Sequence, residues 1–311
     1  MKYRTDLAIE RKEILDSGSK KAENAKKQKK HEEHKESRES SDGIDVDVID
    51  WGDDVKVTRI EIKDEYGAMK MEKPIGNYIT IEAAGIQEER DGIKERVEGA
   101  LVSELKRLIK FHYYLKVLVA GLGNSMVTPD ALGPKTASKI RVTNHLFEMF
   151  QADGDDEMSR VSCIAPGVTG TTGMESAEMV KKAAEIADPE VVIVVDSLAA
   201  RDIRRVSTTI QVTDTGISPG SGMGNHRTGI NSDSLGRRVI AIGVPTVIDA
   251  TTIIRDALTD NIESDEMIEK YINAYDRQMI VTSTDIDMLI KDFSDIIANG
   301  INKTLHPGIY S

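Results

Sequence analysis

From residue 115 onward the sequence keeps to one grammar. Short apolar runs rich in β-branched residues, "LKVLVAG", "VSCIAP", "VVIVVD", "STTIQVTD" and "RVIAIGV", alternate with stretches of helical periodicity. A strand that is apolar on both faces has to be covered on both, so these runs predict a central, mostly parallel sheet with right-handed helical crossovers. The expected class is α/β. Upstream, "IDVDVIDW", "DVKVTRIEI", "GAMKM" and "NYITIEA" alternate with period two, which predicts a small N-terminal antiparallel β section. "DGIKERVEGALVSELKRLIK" then sets Ile93, Val97, Leu101, Leu105 and Leu108 on one helical face. "DIDMLIKDFSDIIANGIN" predicts a final helix with Gly300 near its C-terminus.

Ligands of such sheets sit beyond the carboxyl ends of the strands. The chain places its unusual residues there: Gly121 to Gly133 after the first run, Pro166 to Gly173 after the second, Asp196 ending the third, and Thr215 to Gly224 after the fourth. Gly121-Leu122-Gly123 invites a dinucleotide reading, but Met126 stands where the third glycine belongs and "VTNHLFEMF" reads as helix where an acid should end a strand. "GVTGTTGMES" lacks the Lys-Ser or Lys-Thr of a P-loop, although its backbone N-H groups could still face an anion or a developing oxyanion. Neither a Gly-x-Ser-x-Gly elbow nor a His-Glu-x-x-His helix is present, which removes the commonest serine and zinc hydrolases.

At 311 residues the chain can bury a substantial core, and its net charge of -12 argues against a nucleic-acid binder that relies on a general positive field. Residues 11 to about 42 have almost no large apolar groups after Leu15 and read as a solvated linker or frayed helix. His31 and His34 within it are too isolated to make a convincing metal site. The single cysteine, Cys163, lies in an apolar run and reads as a core residue of a reducing compartment. "MKYRTDLAIERKEILD" has no long apolar run, so neither a signal peptide nor a membrane helix is expected, and the location expected is cytoplasmic.

Two aspartates stand out. Asp130, behind Pro129, could cap a short helix, yet Gly133-Pro134 interrupts any helix begun there. Asp196 ends an apolar run and could equally cap a helix in "SLAARDIRR" or serve a site at the strand ends. If their strands are neighbours, the two acids reach one crevice, where one can hold a proton while the other activates water. "VTDTGISPG" holds a single Asp214-Thr215-Gly216 triplet, whereas pepsin-like sites need two, in an all-β fold. His226 and Arg227 occupy a long glycine-rich loop, where a surface histidine is the simpler reading.

Taken together, "RTDLAIE", "YITIEAAGI", "GLGNSMVTPDALGP", "VTNHLF", "APGVTGTTGMES", "VDSLAAR", "TTIQVTDTGISPGSGMGN", "AIGVPTVIDA" and "DFSDIIANGIN" resemble the germination protease (spore protease) family of spore-forming bacteria. The resemblance runs in order along most of the chain. It implies a phosphorylase/hydrolase-like three-layer sandwich, related to the hydrogenase maturation peptidases. It also implies an endopeptidase that degrades small acid-soluble spore proteins in the spore core, is made as a zymogen, assembles as a homotetramer and cuts its own N-terminus. The family's two catalytic aspartates fall on Asp130 in "TPDALGP" and Asp196 in "VDSLAAR", and the cut falls on Asp6-Leu7 in "RTDLAIE".

The expected organisation is a propeptide at 1–6, an N-terminal segment with a charged, flexible linker at 7–42, and one α/β peptidase domain at 43–311. Arg201, Gly170, Gly173, Gly222 and His226 are candidate supporting residues; no metal, cofactor, membrane or direct nucleic-acid partner is expected. Two alternatives stay open: a metal-dependent peptidase using the same acids with His145 or His226, and a noncatalytic phosphate- or nucleotide-binding protein built on the glycine loops.

Overall fold

The computed structural model describes residues 5–23, 37–52, 54–112, 114–150, 158–220, 228–259, 270 and 279–310. Their strands are β1 (Ser37–Ser41), β2 (Ile44–Asp50), β3 (Val55–Ile62), β4 (Gly76–Ala83), β5 (Lys116–Gly121), β6 (Arg160–Ile164), β7 (Val191–Ala200), β8 (Thr209–Thr213), β9 (Arg238–Asp249) and β10 (Ile280–Val281). They form one sheet in the order β1-β2-β3-β4-β8-β9-β7-β5-β6, with β10 paired to β9.

The expected parallel core is β6-β5-β7-β9, paired in parallel throughout. The run "STTIQVTD" departs from it, because β8 lies antiparallel to both β9 and β4. Residues 201–208 link β7 to β8, too short a stretch for a crossover helix, so the chain reverses. That reversal joins the N-terminal antiparallel strands to the same sheet. The edge continues back to β1, and so into residues that composition assigns to the linker.

Helices cover both faces, which makes the molecule a three-layer α/β sandwich. On one side lie α3 (Ile93–Leu108), α4 (Leu132–Ala137) and α10 (Ile286–Leu305), packed over Val117, Val119, Ile193, Val195, Ile240 and Ile242. The predicted face of α3 is buried at all five positions. Gly300 does not end its helix, which runs on to Leu305; a Cβ there would lie 2.8 Å from Leu101 Cδ2, so the missing side chain lets α10 approach α3.

The opposite side holds α1 (Ala8–Glu23), α2 (Glu65–Met71), α7 (Ser176–Ala187) and α8 (Ser232–Leu235). "GAMKM", expected as a strand, belongs to α2, because Asp64 accepts the Gly67 N-H and caps a helix there. The helix α1 accounts for part of the supposed linker, while His31 and His34 lie outside the described residues. The remaining helices are α5 (Asn144–Phe150) beside β6, α6 (Thr169–Thr172), and α9 (Ala250–Thr259) following β9.

One charged pair ties α3 to the sheet. Arg59 of β3 donates from Nη2 to Glu104 Oε1 at 2.6 Å and from Nε to Glu104 Oε2 at 3.0 Å, and the Glu104 carboxylate is wholly buried. Removing only the cation strands a buried anion. Arg59→Met is therefore expected to cost about 3 kcal/mol, the lower end of the range, since Arg107 also touches Glu104. Urea unfolding checks this, and an unchanged midpoint would refute it.

Candidate active site

The loop after β5 is built on missing side chains. A Cβ on Gly121 would overlap Gly133 O, and one on Gly133 would overlap Leu122 O and Val195 O. The start of α4 thus rests directly on the end of β5 and the middle of β7. Gly123, at φ +111, lies so close to Asp130 O that no side chain fits between them. Asn124 N donates to Asp130 O at 3.0 Å and to Asp130 Oδ2 at 2.8 Å, closing the loop on itself.

Asp130 ends a 3-10 turn, Thr128–Asp130, and does not cap α4, whose N-cap is Ala131 with no side-chain bond. Gly133-Pro134 begins that helix and does not interrupt it. A proline in the first turn lacks an N-H that would have had no helical partner.

Asp196 lies within β7, four residues short of the strand's end, and is 5% exposed. No helix follows for it to cap, since Ser197 to Ala200 stay extended against the long strand β9. Strand alternation sends Ile193 and Val195 to the α3 side and Val192, Val194 and Asp196 to the other. Asp196 Oδ1 accepts the Ser197 N-H at 2.9 Å.

Both aspartates line one cleft of about 280 Å³, together with Asp6, Val168, Ser176 and Gly220. Thr246 of β9 closes its floor by donating to Pro129 O at 2.7 Å. The loop after β8 reaches this cleft by an indirect route. Gln211 pairs level with Gly243, which pairs with Asp196, so the later residues of β8 lead away from the cleft. The chain then turns at Gly216, and Ile217 and Ile230 exchange backbone bonds of 2.9 and 2.8 Å. Pro219 and Gly220 come back to the wall.

The other candidates fare differently. Arg201 lies in the turn after β7, donating its backbone N-H to Glu10 at 2.8 Å, with its guanidinium 3.4 Å from Asp256; it does not line the cleft. Gly170 and Gly173 sit on the exposed α6 turn, and the Gly173 N-H is used by Thr169 O at 2.9 Å; their loop contributes Val168 and Ser176 instead. Gly222 and His226 lie outside the described residues, and His145 is exposed on α5. Asp214 accepts from Asn77 N at 2.8 Å and Nδ2 at 2.7 Å, so the lone triplet pins a loop to β4. Among the described residues no three His, Cys, Asp or Glu side chains gather as a metal site, and no helix is long and apolar enough to cross a membrane.

Burial pushes the Cys163 thiol up to about 11. Only the thiolate is strongly nucleophilic. Iodoacetamide at neutral pH is therefore expected to leave activity intact, and inactivation in step with alkylation of Cys163 would overturn that.

Beside the cleft the chain docks its own N-terminal segment. Leu7 and Ala8 are fully buried, and Glu10 is buried among the backbone N-H groups of Arg201 and Asp202, each at 2.8 Å, and the Thr5 hydroxyl. Burial holds the Glu10 carboxyl above the ordinary carboxylate range despite those donors. Arg205 joins the cluster through Glu13 at 2.6 Å and Glu82 at 3.3 Å. Sequence reasoning passed over Lys73 and Gln211, which also hold this segment. Gln211 left a signal, a long polar side chain inside the apolar run "TTIQVTD".

The sequence profile described as Germination protease matches residues 20–263. A protein named Germination protease from Caldanaerobacter subterraneus subsp. tengcongensis is 44% identical over 278 residues, covering 82% of this chain and 86% of its own. One from Clostridium perfringens strain SM101 is 40% identical and covers 98% of this chain and 96% of its own. Among solved structures, a [NiFe] hydrogenase maturation protease HycI from Thermococcus kodakarensis is similar at a TM-score of 0.36 and 14% identity, over 64% of this chain and 98% of that one.

Proposed function

Because the chain belongs to the germination protease family, whose members are proteases, we propose that it initiates the breakdown of small acid-soluble spore proteins by paired-aspartate hydrolysis. The observation that carries this reading is the shared cleft. Asp130, from the loop after β5, and Asp196, from within β7, face the same space, and the chain's own Asp6 lines it too. One carboxylate takes a proton from water as the water attacks the peptide carbonyl; the other gives a proton to the departing amine. Two carboxylates in one site do not both ionise cheaply, which favours that division of labour.

The docked segment supports a further part of the reading, that the enzyme is made as a zymogen and cuts its own Asp6-Leu7 bond. Thr5 to Glu10 present an acid, a buried apolar residue and a buried alanine beside the cleft, the pattern a substrate would show. Assembly as a homotetramer and residence in the spore core belong to the same proposal.

The test is to incubate the purified protein with a small acid-soluble spore protein and map the products by mass. Cuts are expected after an acidic residue that precedes an apolar residue and alanine, at a rate unchanged by chelator. Cleavage scattered over unrelated bonds, or none, would sink the substrate assignment; loss of activity in chelator, restored by a divalent ion, would replace the metal-free mechanism.

A further inference from the structure

The carbonyl of the Asp6-Leu7 bond is held by two donors. Lys73 Nζ lies 2.7 Å and Gln211 Nε2 3.1 Å from Asp6 O. The other end of the same Gln211 amide accepts the Ala8 N-H at 2.7 Å, so one side chain spans the bond from the carbonyl before it to the N-H after it. Asp6 is also fixed from β7: its N-H donates to Ala199 O at 3.1 Å, and its Oδ2 accepts the Ala199 N-H at 2.9 Å. The scissile unit is thus clamped on both sides, with Leu7 and Ala8 fully buried between.

A half-buried carbonyl in its ground state needs only a neutral donor. Lys73 brings a group able to carry a full positive charge, although desolvation lowers its pKa, with Arg11 adding to the effect and Asp6 and Glu10 opposing it. A partly buried cation interacts far more strongly with a full negative charge than with a carbonyl dipole. Its placement favours the state in which that oxygen has become an anion.

We propose that Lys73 and Gln211 form the oxyanion-stabilising pair for hydrolysis of the chain's own Asp6-Leu7 bond. The proposal rests on the self-cleavage reading above and deepens it. As the water oxygen bonds to the Asp6 carbonyl carbon, the carbonyl π pair moves onto Asp6 O, between the two donors. Collapse of this adduct restores the C=O and breaks the C-N bond. One cleft carboxylate takes the proton of the attacking water, the other gives a proton to the Leu7 nitrogen as the bond breaks, and Asp6 is left as a new carboxylate.

The experiment follows the intact chain by mass for product beginning at Leu7, with hydrogen exchange over residues 5–10 as the readout of docking. Gln211→Glu still accepts the Ala8 N-H but donates nothing to Asp6 O; Lys73→Met removes the cation, and Lys73→Arg keeps it. Loss of one donor is expected to slow self-cleavage about 10²- to 10³-fold, well beyond any accompanying loss of exchange protection, and Lys73→Arg to recover part of the rate. Cleavage of Gln211→Glu and Lys73→Met at the wild-type rate overturns the pair, as does a slowing matched by an equal loss of protection, which marks a docking role only. A wild-type chain that never loses residues 1–6 overturns the self-cleavage reading itself.

Discussion

Asp196→Asn is expected to abolish peptide-bond hydrolysis while leaving the protein folded. The carboxylate accepts the Ser197 backbone N-H, and an amide oxygen of the same shape accepts it equally well. What disappears is the capacity to take or give a proton. General acid or base groups of this kind contribute about 10²- to 10⁴-fold to rate, and the loss should fall on kcat. Asp130→Asn is expected to behave alike, because an asparagine oxygen can still accept the Asn124 N-H that closes the loop. Initial rates on a small acid-soluble spore protein, measured beside the thermal midpoint, separate the possibilities. Folded variants that cut at the wild-type rate would remove the paired acids from the mechanism. Activity lost only in proportion to a lowered midpoint would make both aspartates loop-builders.

Gly133→Ala is expected to be the most damaging single methyl in the site region. The new Cβ would overlap Leu122 O and N and lie 2.5 Å from Val195 O, all backbone atoms of two sheet strands and their extensions. No rotamer relieves such a contact. The start of α4 has to lift off the sheet, carrying Asp130 away from Asp196. We expect a loss of about 3 kcal/mol, the upper part of the usual range for overpacking a close-packed interior, together with loss of activity. Gly170→Ala is the control. Nothing lies within 4 Å of its added Cβ, so stability should move by less than about 0.5 kcal/mol and activity should hold. A Gly133→Ala protein with the wild-type urea midpoint would show that the α4 contact has slack; an inactive, folded Gly170→Ala protein would restore that glycine to the catalytic machinery.

Much of the fold was legible in the chain because burial on two faces leaves a local signature. The parallel strands β5, β6, β7 and β9 and the buried stripe of α3 follow from runs and spacings that any short window contains. The direction of β8 was not legible, since an apolar strand reads the same whichever way it runs; only the short link after β7 and the docking of β4 orient it. "SLAARDIRR" has helical propensity and lies partly in a strand, because the far half of β9 offers a partner four residues beyond Asp196. "GAMKM" erred the other way, its alternation outweighed by the Asp64 cap.

The site divides along the same line. Asp130 and Asp196 could be picked out because acids at glycine turns and strand ends are conspicuous in sequence, and the family resemblance singled out the same two. That they share a cleft followed only if β5 and β7 are neighbours, which the pairing of those strands supplies, and the presence of Asp6 in the cleft could not be read in advance. Lys73 and Gln211 lie 67 and 205 residues from the carbonyl they hold, and nothing local marks a lysine before a strand as a partner of the N-terminus. By itself the sequence determined which segments must be covered and which residues carry reactive groups, since hydrophobic burial and side-chain chemistry belong to single residues and short windows. Only the tertiary structure decided which groups face one another, because a cleft is made of distances between segments far apart in the chain, and those are set by how the sheet orders its strands.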